Sequence, residues 1–288
     1  MARFSNPNDD AYSVVNVACH VHSTWSYDGK WKLADLAKEF GHRGYHAILI
    51  TEHDLGFDSD RLAALRAACV EASTNEVLLI PGIEYSDAEN TVHLLAWGPI
   101  PFLGEGLPTI ETLKAVKEAN GFVVLAHPSR RDAWRLFENE WKEYLNGVEI
   151  WNRKADGWAP SRSAPRLLGR TGLPPFASLD FHDRRQFFPL KMALNIRGTL
   201  SENSILEALR DQRFDALVFG IRLNIGALTP LFGALHLLEL GRRCLATGYK
   251  KIRGLRATAL EPVRAMPKTS QSQTGASTKG SNNGRHKC

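Results

Sequence analysis

The sequence predicts an α/β fold, and more specifically a β/α barrel around a largely parallel, buried sheet. Short apolar segments of strand character alternate with helix-patterned segments over residues 12–219, as in a sheet whose crossovers are helices. His20/His22, His53, Glu84, His127 and Asp180/His182 each fall just past the C-terminal end of a different predicted strand. In a β/α barrel those ends meet on one face, where active sites are built. The usual nucleotide-fold fingerprints are missing, since no GxGxxG follows the first strand and neither GxxxxGKS nor GxxxxGKT occurs.

The first strand is the β-branched run 12–17, which leads into Ala18-Cys19-His20-Val21-His22. On an extended backbone His20 and His22 point to the same side, a candidate metal clamp, while Cys19 points away into the wall. Residues 32–43 carry Leu33, Leu36, Ala37 and Phe40 at helical spacing and stop at Gly44. Residues 47–51 form a short buried strand ending at Glu52-His53-Asp54. An Ala/Leu-rich helix over 61–72 precedes a strand at 77–80 and then Pro81-Gly82-Ile83-Glu84. Residues 91–97 form a strand carrying His93, and 108–120 a helix stopped by Gly121. A strand at 122–126 ends in His127-Pro128. The spacing then predicts a helix over 132–145, a strand over 147–151 and a short helix over 165–171. Strand 176–179 runs into Asp180-Phe181-His182, and a strand at 192–196, a helix at 205–212 and a strand at 216–219 close the compact part.

Apolar and charged fractions of 43% and 23% are ordinary for a globular chain, and 288 residues suit one large domain or a domain with an appendage. The net charge of +5 is mildly basic. Part of the excess sits at Arg242, Arg243, Lys250, Lys251, Arg253 and Arg256, so it does not by itself signal nucleic acid. Cys19, Cys69, Cys244 and Cys288 are scattered without a CxxC, which makes a reducing cytoplasm the simplest compartment. The first ten residues lack the apolar stretch of a signal peptide.

Gathered on one face, the candidate ligands are imidazoles and carboxylates with no thiolate cluster. Such N/O ligation suits zinc, manganese or iron, and the carboxylates allow two or three divalent metal ions to be bridged. The motifs His20-Val-His22-Ser-Thr-Trp-Ser-Tyr-Asp28-Gly29, Thr51-Glu52-His53-Asp54, Gly82-Ile-Glu84 with Ala126-His127-Pro128, and Ser178-Leu-Asp180-Phe-His182 occur in that order. In these motifs the sequence resembles the polymerase and histidinol phosphatase (PHP) domain, over about residues 12–200. The resemblance implies a distorted, TIM-like barrel of seven β/α units. It also implies that His20, His22, Glu84 and Asp180 bind one metal, and that Glu84 bridges to a second held by His127 and His93. Asp28, His53 and His182 then hold a third. Glu84, Asp180 and His182 are expected at the catalytic centre itself. The chain departs from the commonest pattern at Ala18, where many members carry an acid, at Glu52, and at Leu179-Asp180-Phe181. The first departure is expected to loosen the orientation of the ligands.

The expected activity is hydrolysis of a phosphate ester by a metal-bridging hydroxide, with a phosphorylated metabolite or nucleotide as substrate. Arg130, Arg184 and Arg153 follow the ligand motifs and are the candidate phosphate binders, arginine offering a bidentate fork. Neighbouring Arg131, Arg185 and Lys154 stand beside them, and such pairs also read as solvated surface charge. Trp151, Trp158 and Phe181 are candidates for a slot holding a base or sugar. His42, His46, His236 and His286 fall outside the motifs, and Glu52 and Asp54 are read as loop acids without an orienting role. Two alternatives stay open: a nuclease acting on short oligonucleotides, and a non-catalytic PHP binding module. The filled ligand positions argue against the module.

Four segments are expected: an N-terminal extension (1–11), the barrel (12–222), a helical and basic segment (223–262), and a polar low-complexity tail (263–288) that is disordered. The apolar run 223–240 is short for a membrane span and interrupted by Pro230, His236 and Glu239. It is read as a terminal helix packing on the barrel, with membrane-surface contact through 223–256 as the alternative. No obligate protein partner is evident.

Overall fold

A computed structural model of the chain describes residues 12–223 and 230–259, with side chains described as far as Thr247. The expected extension and tail lie outside the described residues. The chain divides into two compact units, residues 1–242 and 243–288.

In the first unit, one sheet runs in the order β12 (Ile221–Arg222), β11 (Phe214–Val218), β10 (Leu190–Arg197), β1 (Tyr12–Val21), β2 (Ala47–Ile50), β4 (Leu78–Ile80). The second runs β3 (Glu52–His53), β5 (Gly82–Ser86), β6 (His93–Trp97), β7 (Phe122–Ala126), β8 (Gly147–Asn152), β9 (Pro175–Ser178). The chain passes between the sheets twice within single extended segments, through Thr51 from β2 to β3 and through Pro81 from β4 to β5. Pro81 has no N–H to give to a ladder, which is where that segment changes sheet. Beyond the end of β9, Leu179 N–H donates to Cys19 O, Phe181 N–H to His20 O and His22 N–H to Phe181 O, so the last strand of the second sheet runs on beside β1.

The expectation of a largely parallel sheet closed into a barrel needs correction. The fold is mixed α/β, and the described residues form no closed barrel. β1–β2, β2–β4, β3–β5, β7–β8 and β8–β9 are parallel, whereas β5–β6, β6–β7, β1–β10, β10–β11 and β11–β12 are antiparallel. For β5–β6 the physical reason is connection length. β5 and β6 are joined by a tight turn in which Asp87 Oδ1 accepts from the N–H of Thr91 and Val92, and so short a link returns antiparallel.

Helices α1 (Leu33–Gly41), α2 (Ser59–Ala72), α3 (Thr109–Glu118), α4 (Arg153–Asp156), α5 (Ala164–Thr171) and α6 (Glu202–Arg210) connect the strands. α1 buries Leu33, Leu36, Ala37 and Phe40, the residues whose spacing announced it. Asp58 caps α2 through Arg61 N, and Ser201 forms a capping box on α6. The helix expected over 132–145 is instead two 3-10 turns, Arg130–Arg135 and Asn139–Glu143. Arg131 (φ 51°) and Asp132 (φ 56°) are left-handed, so no α-helix can run through them. Phe137 and Trp141, four residues apart, are nevertheless both buried. A last helix, α7 (Pro230–Ala259), buries Leu235 and Glu239 in the first unit. No described helix is long and apolar enough to cross a membrane.

Candidate metal centre

Glu84 does not sit past a strand end, as expected, but in the middle of β5, with 1% of its surface exposed. Its Oε1 lies 2.7 Å from His93 Nδ1 and 2.9 Å from His127 Nε2. Its Oε2 lies 3.2 Å from His53 Nδ1 and 3.3 Å from the Nε2 atoms of both His20 and His22. Five imidazoles therefore converge on one carboxylate. Asp180 Oδ1 adds a second acidic corner, 3.7 Å from His20 and His22 Nε2 and 3.3 Å from His182 Nδ1. Asp28 adds a third, its oxygens 3.3 Å from His53 Nε2 and 2.9 Å from His182 Nε2.

Three of these residues are held in left-handed backbone: His20 (φ 59°), His127 (φ 23°) and Asp180 (φ 49°). At His20 the break shifts the β1–β2 register between Cys19 and Val21, so the clamp is not a plain extended His-Val-His. Left-handed conformations of non-glycine residues cost about 1–3 kcal/mol each and persist where the surroundings enforce them. Gly29 is required where it is, because a Cβ there would lie 1.9 Å from Ser23 O.

Ligand atoms come within 4.8 Å of one another in four overlapping groups. These are His22/Asp28/His53/His182, His20/His22/Glu84, His20/His127/Asp180 and Glu84/His93/His127. The second expected metal set is thus one group, the third recurs joined by His22, and the first is divided between two. The donors fit divalent cations on an independent observation: His20 Nε2, His22 Nε2, His53 Nε2, His127 Nδ1 and Asp28 Oδ1 are buried without a hydrogen bond. Buried polar atoms left so cost about 1–3 kcal/mol each, which cations at the centre would recover.

The hydrogen bonds around the centre select the ring nitrogens that face it. Glu149, buried inside the apolar run of β8, accepts from His20 Nδ1 at 2.9 Å, which turns the His20 Nε2 lone pair inward. Its other oxygen accepts from His127 N and from Asn152 Nδ2. Ser26 Oγ donates to Glu52, so it accepts from His22 Nδ1 and from His53 N. Glu52 also receives Ser23 N and Ser23 Oγ. The expectation that Glu52 is a plain loop acid is therefore corrected, whereas Asp54 is buried and its carboxylate accepts from Ser86 N rather than from a ligand residue. The loosening expected from Ala18 is likewise offset by Glu149. An isolated glutamate within Gly147-Val-Glu-Ile-Trp151 was the available signal for it.

Burial opposes ionisation of Glu84, yet His20 and His93 hold its carboxyl well below the usual range. Asp180 is held low against burial by His20 and Lys154, and Asp28 by the neighbouring imidazoles of His182 and His53. Burial pushes His22 down to about 3, whereas the neighbouring carboxylates of Asp28 and Glu84 overcome burial and raise His53 to about 10. The carboxylates of the centre are anionic across the physiological range, as metal ligands must be.

The cations flanking the centre only partly match expectation. Arg130 NH1 reaches His93 Nε2 at 3.1 Å and Asn90 O at 3.0 Å. Arg153 instead lies over the Phe188 ring, and Arg184 is exposed with its charge felt by Glu39 on α1. Lys154 takes the place expected of Arg153, with Nζ 3.3 Å from Asp180 Oδ1 and 3.0 Å from His182 Nε2. Trp151 and Phe181 are fully buried in packing and line no slot. The aromatic beside the centre is Tyr27, 73% exposed and stacked 5.0 Å from the His53 ring.

No family model matches the sequence, and no curated protein is similar to it by sequence. Solved structures are similar to it in fold. A two-domain protein from Bacteroides vulgatus containing a predicted PHP-like metal-dependent phosphoesterase is similar at a TM-score of 0.56 and 20% identity, over 77% of this chain and 71% of that one. The lesion-specific endonuclease PfuEndoQ from Pyrococcus furiosus is similar at 0.52 and 14%, over 69% of this chain and 56% of the other. PsfC from Pseudomonas syringae PB-5123 is similar at 0.50 and 19%, over 81% and 99%. The chain has the fold found in PHP-like metal-dependent phosphoesterases.

Proposed function

We propose that this protein is a metal-dependent phosphoesterase. The observation that carries the reading is Glu84, one buried carboxylate met by five imidazoles, with four overlapping ligand groups around it. The nine residues His20, His22, Asp28, His53, Glu84, His93, His127, Asp180 and His182 would hold two or three divalent ions of zinc, manganese or iron. Bound there, such ions supply the Lewis acidity that neutralises phosphoryl charge and makes hydroxide available near neutral pH. Glu149, Ser26 and Asn90 fix which nitrogen of His20, His22 and His93 faces inward. Lys154 and Arg130, on different sides of the centre, bind the non-bridging oxygens of the substrate, and Asp180 Oδ1 orients the attacking water. His182 lies between Asp28 and Lys154.

A small phosphorylated metabolite or a nucleotide is the substrate this arrangement favours, two flanking cations matching the dianion of a terminal phosphate. A nuclease is the second reading. The exposed face of Tyr27 beside His53 offers a stacking platform for a base, and one structure of similar fold is an endonuclease. Protein loaded separately with manganese, zinc and iron, and assayed on p-nitrophenyl phosphate, bis-p-nitrophenyl phosphate and a short RNA, tests both. Monoester hydrolysis that disappears in Glu84→Gln is expected, and preferential cleavage of the diester and the RNA would establish the nuclease. No hydrolysis of any of the three by protein with measured bound metal would overturn both.

A further inference from the structure

We propose that α7 docks the protein on an anionic lipid surface. Its inner face is already seated in the first unit, where Leu235 is buried and Glu239 accepts from Trp158 N and the Arg242 guanidinium. Leu237, Leu238 and Leu240 on the same helix are nevertheless 73%, 55% and 53% exposed. Clustered exposed leucines on one helix mark an interaction surface rather than ordinary surface scatter.

Charge identifies the partner. Residues 1–229 hold 25 Lys and Arg against 29 Asp and Glu, whereas residues 230–288 hold 11 against 2. The C-terminal stretch thus carries all of the chain's net positive charge, and one of its two acids, Glu239, is buried and ion-paired. Exposed leucines within so basic a stretch of sequence match an interface in which apolar side chains enter the acyl boundary and cations meet anionic headgroups. A second copy of the chain would bring like charge against like charge. Nucleic acid would use the cations and leave the leucines in water.

Flotation of the full chain with vesicles tests the proposal. The expected result is recovery with phosphatidylcholine vesicles containing about one-third phosphatidylglycerol, weak recovery with phosphatidylcholine alone, and release as salt shortens the screening length. The triple variant Leu237→Ser/Leu238→Ser/Leu240→Ser is expected to lose about tenfold in vesicle affinity while keeping its circular dichroism spectrum and its thermal unfolding midpoint. Lys250→Gln/Lys251→Gln is expected to weaken binding to the anionic vesicles alone. Failure of the wild type to float, or flotation that the triple variant retains in full, would overturn the proposal. So would leucine-dependent dimerisation in light scattering without lipid. All of these readouts are independent of whether the centre hydrolyses phosphate esters.

Discussion

His20 has its Nδ1 2.9 Å from Glu149 and its Nε2 3.3 Å from Glu84, so two buried carboxylates divide one imidazole between support and coordination. Replacing Glu149 by Gln leaves every ligand in place but weakens the acceptor that orients His20. Metal affinity is expected to fall about 10–100-fold, measured by competition with a chromophoric chelator. Unchanged affinity would assign Glu149 to folding alone. At the substrate side, Lys154→Ala should raise KM for a phosphomonoester about tenfold with a smaller effect on kcat, because a cation that holds phosphate in the ground state contributes uniform binding. Asp156, beneath the centre, accepts from Ser129 Oγ and Asn152 N. Burial raises its carboxyl to about 6 against the pull of those hydrogen bonds. A raised folded-state value means that the folded protein binds this proton more tightly. The contribution is therefore complete below the unfolded value near 4 and is lost as pH rises through about 6. Relative to Asp156→Asn, the wild type should lose on the order of 2 kcal/mol between pH 4 and pH 7, read from urea denaturation at the two pH values. A pH-independent difference would contradict this.

Among the elements, β5 and β6 place Glu84 and His93, and their contact is close enough to need Gly82. A Cβ there would lie 2.3 Å from Trp97 Cδ1 and 2.6 Å from Ala96 O. Gly82→Ala is expected to destabilise the fold by about 1–3 kcal/mol, seen as a lower denaturation midpoint at constant m-value. Periodicity read the α1 helix well, because its buried face comes from contiguous residues. It misread 132–145 for a related reason: Phe137 and Trp141 bury at helical spacing, but the left-handed Arg131 and Asp132 bend the backbone in a way no apolar pattern encodes. Likewise β5 was hidden, since Pro81 and Gly82 read as a loop while the chain in fact changes sheet there.

For the molecule as a whole, the centre concentrates Glu84, Asp180, Asp28 and Glu149 with five orphaned ligand atoms in a small buried volume. Cations bound there stabilise only the folded state, by about 2.7 kcal/mol at a hundredfold excess over Kd. Removing them with a chelator should lower Tm by roughly 5–10 °C for a unit of this size, measured by differential scanning calorimetry. A Tm indifferent to chelation and metal return would count against the cluster. The α/β class was legible in the sequence by itself, because strands and helices announce their buried faces locally, and the nine candidate ligands that the family resemblance implied come together in space. The tertiary structure alone decided that the sheets are mixed, that Glu149 and Ser26 orient the histidines, and that Lys154 and Arg130 rather than Arg153 and Arg184 approach the centre. Those outcomes depend on contacts such as His20 to Glu149, 129 residues apart, and on connection geometry. Local side-chain patterning carries no record of either.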